Sequence, residues 1–387
     1  KSDISKKIYL EEKEVKKYGG KIAFTDGVTF SSTKILNDTF DVFDKKQKKF
    51  LSKIKNKYNF KEIINLINNF KDKKVLIIGE AIIDNYVLCE ALGKSGKDPI
   101  LMFQRLQTKK YLGGSTAIAK NISNFSKKTS LYCMTGEKDN YDNVIKRKLN
   151  NLKLSFFKKK NSPTIIKTKF LDSYNNNKIF GYYDFNDQGI SKNEEEDIIK
   201  KLKKIIKNYD IVVVSDYGHG FITEKIAKFI CSNSKILNIN AQSNAGNHGF
   251  HSLRKYKNSR QIIINESELR TELRDKISDL RKLILKLDKI VKFEKCIVTR
   301  GKNGAILYNK KSKSFYECPA FGIKVVDKIG AGDAMLAIIS LMAEEKNKED
   351  LLIFLGSVAS SMIVESLANA VSIKKLDFIN SIKTYLK

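Results

Sequence analysis

The sequence is short of cysteines, and those it has are not spaced to act together. Cys89, Cys133, Cys231, Cys296 and Cys318 are odd in number, scattered, and never in a C-x-x-C pair. That excludes a disulfide scaffold or a cysteine zinc site and suits a reducing compartment. No apolar run approaches the roughly 20 residues that span a bilayer, and the first residues hold no secretory h-region. The expectation is a soluble, cytoplasmic protein with no membrane partner. Acids are scarce beside bases, 43 against 73, for a formal net charge of +30. Such an excess can mark a nucleic-acid or anionic surface. Here the lysines run from end to end among abundant Asn and Ile, as a low-GC coding bias produces, and they do not cluster into a patch. Nucleic acid is therefore not the expected partner. No repeat of solenoid period is present.

What is present suits one large folded domain with an appendage. The 387 residues exceed a typical domain, and 42% hydrophobic content fills a core. Residues 1–44 contain GGKIAFTDGVTFSS. Residues 45–72 are lysine-rich, with eight lysines and no acid from Lys45 to Lys61. Phe50, Leu51, Ile54 and Tyr58 fall at helical spacing there, which makes the segment an amphipathic linker or docking helix. The sharper alternative is a nucleic-acid arm.

From Lys73 onward the rhythm changes. Apolar runs of strand length (KKVLIIGE, TSLYCMTG, DIVVVSDYG, KILNIN, RQIIINE, KCIVTRG) alternate with helical stretches such as 194–208 and 273–293. Continuous Val/Ile runs mean strands buried on both faces, hence an α/β domain with a mostly parallel sheet. Ligands gather at the carboxyl ends of such strands, where the polar motifs of this chain sit. Residues 85–112 and 164–185 instead alternate polar with Tyr, Phe, Ile and Thr, as short antiparallel strands do. They predict a small β-flap over the strand ends, able to act as a lid that expels water.

Four motifs carry candidate chemistry. Asp327-Lys328-Ile329-Gly330-Ala331-Gly332-Asp333 precedes an apolar helix, so Gly330, Ala331 and Gly332 occupy its first turn and leave N–H groups open to a phosphate. Asp333 beside them suits acceptance of a hydroxyl proton, and the helix field is expected to keep it ionised. The plain alternative is a glycine turn with a capping Asp. Asn265 and Glu268, three apart after a buried strand, present oxygen ligands suited to Mg²⁺, or else a helix-capping pair. Thr299-Arg300-Gly301-Lys302-Asn303-Gly304 is either a hairpin or a loop passing a nucleotide. Gly113-Gly114 permits close backbone approach, and Asp84 just outside the sheet can bind sugar hydroxyls; a helix-start turn and an Asx cap are the alternatives.

The order D-x-x-G-A-G-D, an N-x-x-E before it and an early Gly-Gly resembles the ribokinase/PfkB-type carbohydrate kinases over Lys73 to the C-terminus. VLIIGEAIIDNY, SDYGHG and TRGKNG are similar to the heptose-7-phosphate kinases within that family. The resemblance implies a ribokinase-like three-layer domain with a β-flap. It implies Asp333 as catalytic base and Gly330 to Gly332 as anion hole. Asn265 and Glu268 then serve Mg-ATP, Thr299, Gly301, Gly304 and Asp327 the nucleotide, and Asp84, Gly113, Gly114 and Asp216 the sugar. ATP and Mg²⁺ are the implied cofactors. A sugar or sugar phosphate, with its anomeric hydroxyl phosphorylated, is the implied partner, and pairing through the flap into a homodimer is expected. GGKIAFTDGVTFSS resembles the tail of a sugar-phosphate nucleotidyltransferase, so such a domain is expected upstream. The pattern is broken at four places: Ala117 stands where the family has Asn, Lys328 where Thr is usual, His219 where Lys is frequent, and Glu80 in place of Asp. These bear on the sugar's identity. Lys94, Lys97 or Arg105 near the sugar would favour a phosphorylated one; solvated side chains are the equal alternative. The competing readings are a kinase for another small sugar or nucleoside and a non-catalytic nucleic-acid-binding or regulatory protein.

Overall fold

A computed structural model of the chain describes residues 14–20, 43–322 and 325–387. The chain divides into two units, Lys1–Val42 and Phe43–Lys387. In the first, residues 14–17 form one helical turn. The rest of the expected nucleotidyltransferase tail lies outside the described residues.

The second unit carries twelve strands among its described residues. They are β1 (Lys74–Lys94), β2 (Leu101–Gly114), β3 (Lys128–Gly136), β4 (Lys153–Lys159), β5 (Ile165–Asp172), β6 (Lys178–Asp184), β7 (Ile211–Asp216), β8 (Ile236–Ala241), β9 (Ser259–Asn265), β10 (Phe293–Thr299), β11 (Ala305–Asn309) and β12 (Ser314–Cys318). The central sheet runs β12-β11-β10-β9-β8-β7-β1-β3-β4, parallel from β10 to β4 and closed by the antiparallel β11 and β12.

Helices cover both faces of this sheet, and the Val/Ile runs supply the reason. Alternate residues of one run face opposite sides, so a fully apolar run needs cover on each. Ile77, Val213, Ile263 and Ile297 pack with α9 (Ala331–Leu341) and α10 (Glu349–Val364). Ile78, Val214, Ile264 and Val298 pack with α5 (Lys192–Ile205), α6 (Glu224–Asn233) and α8 (Leu280–Ile290). The remaining helices are α1 (Lys45–Lys57), α2 (Phe60–Asn69), α3 (Ser115–Ser123), α4 (Tyr141–Lys148), α7 (Glu266–Leu273) and α11 (Lys375–Tyr385). The helix expected over 273–293 is shorter, because Arg274 takes a left-handed conformation at φ +51 and ends α7 before α8 begins. No helix among the described residues is long and apolar enough to cross a membrane.

Two features bear on the site. First, β1 serves two sheets. Lys74–Glu80 pairs with β3 and β7 in the core, and Ala81–Lys94 continues without a break to pair with β2, with β5 beside it as far as Cys89. Together with β6 these strands form the flap, whose surface exposes Leu101, Met102, Leu106, Phe180 and Tyr182. Second, residues 45–72 dock onto the body. Leu51, Ile54, Ile63, Leu66, Ile67 and Phe70 join the main core, and Tyr58 donates to Asp350 at 2.6 Å. The lysines lie on the outward side, as the amphipathic spacing requires.

Candidate active site

The start of α9 is a turn only glycine makes comfortably. Gly330 has φ +86, and a Cβ on it would lie 2.0 Å from Asn369 Oδ1. A Cβ on Gly332 would meet nothing within 4 Å, so the first turn opens onto free space. Its N–H groups lack intrahelical acceptors, as at any helix start, and the helix dipole adds to their pull on an anion. Ala331 completes the turn, its carbonyl accepting from Ser360 Oγ at 2.9 Å.

Asp333 follows on the inner side, nearly buried. Tyr217 Oη donates to its Oδ1 at 2.9 Å. Burial pushes its carboxyl up to about 7, with the charge of Asp84 adding to the rise and the Tyr217 bond and Lys167 opposing it. The helix field by itself would keep Asp333 ionised. Desolvation outweighs that field here, because the group has left water and gained only one hydrogen bond.

On the expected sugar side, Asp84 accepts from Lys169 Nζ at 3.1 Å and from Asn369 Nδ2 at 3.3 Å. A Cβ on Gly113 would sit 2.4 Å from Asp84 Oδ2, and one on Gly114, at φ +58, would sit 2.8 Å from the Glu80 carbonyl. The glycine pair thus gives way for the carboxylate and the strand beside it. Asn369 touches both Asp84 and the space over Gly330, joining the expected sugar side to the expected phosphate side. Asp84, Gly113, Gly114, Gly330, Ala331, Gly332 and Asp333 are therefore brought together.

The expected nucleotide residues divide. Asn265, Thr299 and Gly301 line one open cleft of about 1180 Å³, along with Arg270 and Lys276. Gly304 does not line it. A Cβ there would strike the Cys318 carbonyl at 2.0 Å, so its role is to let β12 pass. Residues 300–304 do form the hairpin between β10 and β11, while Gly301 at their tip faces the cleft. Asp327 lies elsewhere: it accepts from Tyr86 Oη at 2.9 Å, from Lys178 Nζ at 2.7 Å and from Ala368 N at 3.2 Å, tying the flap to the loop before α9. Burial pushes its carboxyl up, yet those bonds prevail and hold it below the ordinary range. Asp216 is likewise committed internally, to Tyr256 Oη and Lys255 Nζ, each at 2.6 Å, and to Gly218 N at 3.1 Å. Neither is presented to a ligand.

The expected metal pair is a capping box. Asn265 Oδ1 accepts from Glu268 N at 2.8 Å, and Glu268 Oε2 accepts from Asn265 N at 3.0 Å, while its Oε1 accepts from Ser243 N at 3.1 Å. Burial raises the Glu268 carboxyl to about 7. Each carboxylate oxygen already accepts one backbone N–H, so Mg²⁺ would be held there through the remaining lone pairs, by way of water and nucleotide phosphates, as the sequence pattern implies. No group of three or more His, Cys, Asp or Glu among the described residues could hold a metal.

Four residues at the site went unread in the sequence. Tyr217 lies inside SDYGHG and its hydroxyl reaches Asp333. Lys167 and Lys169, two apart on β5, left only an alternating pattern in a lysine-rich chain. Asn369 carries no local signal, since its partners lie far away in sequence.

A model of the pfkB family of carbohydrate kinases matches residues 72–375. The chain belongs to that family. It is thereby an ATP-dependent carbohydrate kinase. Two relatives of the kinase are each named Bifunctional protein HldE. That of Campylobacter curvus is 24% identical over 306 residues, covering 78% of the kinase and 63% of the relative. That of Campylobacter jejuni is 26% identical over 330 residues, covering 80% and 67%. The kinase thus spans about two thirds of these relatives' length. In fold it is similar to phosphofructokinase-2 from Escherichia coli (TM-score 0.65, 14% identity, 81% of this chain and 99% of that one). It is also similar to Arabidopsis thaliana ribokinase complexed with ribose and ATP (TM-score 0.59, 18% identity, 82% and 99%). The fold is ribokinase-like, with a mostly parallel sheet between helical layers.

Proposed function

We propose that this kinase moves the γ-phosphoryl group of ATP onto a hydroxyl of a phosphorylated sugar, the anomeric hydroxyl of a heptose 7-phosphate, in the making of a nucleotide-activated heptose. The name shared by the relatives and the similarity of VLIIGEAIIDNY and SDYGHG to heptose-7-phosphate kinases support the substrate. The relatives' extra length supports an accompanying nucleotidyltransferase. The apolar residues exposed on the flap support a homodimer paired there.

One observation carries the chemistry: Asp333, held by Tyr217, stands beside an open glycine turn with Asp84 on its other side. A base titrating near 7 is half ionised at neutral pH, where acceptance of a hydroxyl proton is most effective. The hydroxyl proton passes to Asp333 as its oxygen attacks phosphorus, and the first-turn amides at Gly330–Gly332 meet the charge that develops. Lys169 and Asn369 fix Asp84 for sugar hydroxyls, and the Asn265, Thr299 and Gly301 cleft takes the nucleotide.

Asp333→Asn keeps the shape and the Tyr217 contact but removes the base. Its turnover is expected to fall about 10²- to 10⁴-fold, with ATP affinity within about threefold of the wild type. Steady-state rates on heptose 7-phosphate with calorimetric ATP titration decide the point. Undiminished turnover would remove Asp333 from the mechanism.

A further inference from the structure

The cations expected to favour a phosphorylated sugar are in the wrong place for it. Lys94, Lys97 and Arg105 are exposed, and Lys94 pairs with Leu101 at the far end of the β1–β2 ladder. Ten residues of strand separate Lys94 from Asp84, roughly 33 Å.

Two other cations stand at Asp84 itself. Lys167 is opposite Asp84 in the β1–β5 register, and Lys169, two residues on, shares its face of β5. They are not equivalent. Lys169 has a counter-ion in Asp84, at 3.1 Å. Lys167 makes no ion pair or hydrogen bond among the described residues. Its Nζ lies instead over the rings of Tyr183, at 5.2 Å, and Tyr217, at 5.7 Å. Tyr217 is the residue that holds Asp333. Burial depresses the Lys167 ammonium below its ordinary range, the charge of Lys169 adds to the fall, and the charges of Asp84, Asp333 and Glu80 act against it without bonding to it. His219, across the same space, is pushed down to about 4 by burial and is neutral at working pH, so it adds no second cation there. A half-buried ammonium with ring faces beside it but no counter-ion is costly, and ordinary folds supply one.

We propose that Lys167 is a substrate-contact residue whose missing counter-ion is a phosphoryl group arriving on the sugar side of Asp333. This deepens the kinase reading above and rests on it. On the kinase reading two phosphoryl groups are candidates for that counter-ion: the one the sugar already carries and the one being transferred.

Inorganic phosphate serves as the first probe, because it needs no assumption about the sugar. Calorimetry is expected to show phosphate binding weakened at least tenfold by Lys167→Met, retained by Lys167→Arg, and unaffected by Lys97→Met on the exposed flap. Melting curves confirm that each variant folds. Equal phosphate affinity in wild type and Lys167→Met overturns the proposal. Kinetics with heptose 7-phosphate and with free heptose then separate the sources. A KM raised at least tenfold for the phosphorylated sugar, with lost preference over the free one, assigns Lys167 to the sugar's phosphate. A kcat lowered at least tenfold on both, rescued in part by Lys167→Arg, assigns it to the transferred group. Rates within threefold of wild type on both overturn the proposal. Wild-type protein that phosphorylates neither sugar refutes the substrate reading instead, and the phosphate titration still judges Lys167.

Discussion

At Asp333 two effects oppose each other, and their balance makes a stability statement as well as a catalytic one. The helix start favours the carboxylate, burial favours the acid, and burial prevails, placing the group near 7 against an unfolded value near 3.8. A carboxyl raised in the folded state stabilises the fold fully below the unfolded value, and that contribution is lost as pH climbs through the folded one. The amount is on the order of 4 kcal/mol for a rise of this size. Asp333→Asn cannot ionise, so it escapes the loss. Its melting temperature is expected to gain on wild type between about pH 4 and pH 7 and to hold that gain above. A difference that stays constant over this range would show that Asp333 does not titrate as its burial implies. The motif around Asp333 was legible in the sequence because small residues before an apolar helix have few other uses. Its protonation was not, since burial depends on Tyr217 and on the flap strands. Lys167 was invisible for another reason: among 73 basic residues, one without a partner looks like the rest.

Elements were read best where composition left no choice. The Val/Ile runs of β7 and β9 could only be strands covered on both sides. The polar alternation of 85–112 and 164–185 lies on the flap strands, which pair antiparallel in β1–β2 and β5–β6 as expected but parallel where β5 joins β1. What could not be seen was that the first core strand and the first flap strand are a single element. No glycine or proline stands between Gly79 and Asn85, and only the pairing partners change. In α1 lysines dominate the composition, yet the stripe of Phe50, Leu51, Ile54 and Tyr58 was legible at helical spacing, and it does the packing. Ile54 is fully buried in the main core, and the Phe50 ring lies tilted against Phe321 and Phe354. Ile54→Ala is expected to cost about 2–5 kcal/mol of unfolding free energy, read by denaturant titration. A cost below about 0.5 kcal/mol would mean the helices ride on the body without stabilising it.

Across the whole molecule the charge surplus has a measurable effect on folding. With 73 bases against 43 acids, the compact state repels itself more than the expanded one. The surface ion pairs that salt also weakens, such as Lys310 with Asp288 at 2.8 Å, are individually worth little. Raising NaCl from about 20 to about 300 mM, which shortens the Debye length several-fold, is therefore expected to raise the melting temperature by a few degrees. A fall would mean the ion pairs outweigh the repulsion. Sheet order was the least legible property at this scale, because it depends on where each crossover lands and strand residues do not record that.

The unbroken β1 fixes how far each part of the flap can travel. With its last core pairing at Glu80 as a fulcrum, Asp84 rides about 13 Å out and Lys94 about 46 Å. A tilt of about 10° would carry the tip through some 8 Å but Asp84 through only about 2 Å. Under such a tilt the long arm swings wide while the Asp84 carboxylate stays nearly in station.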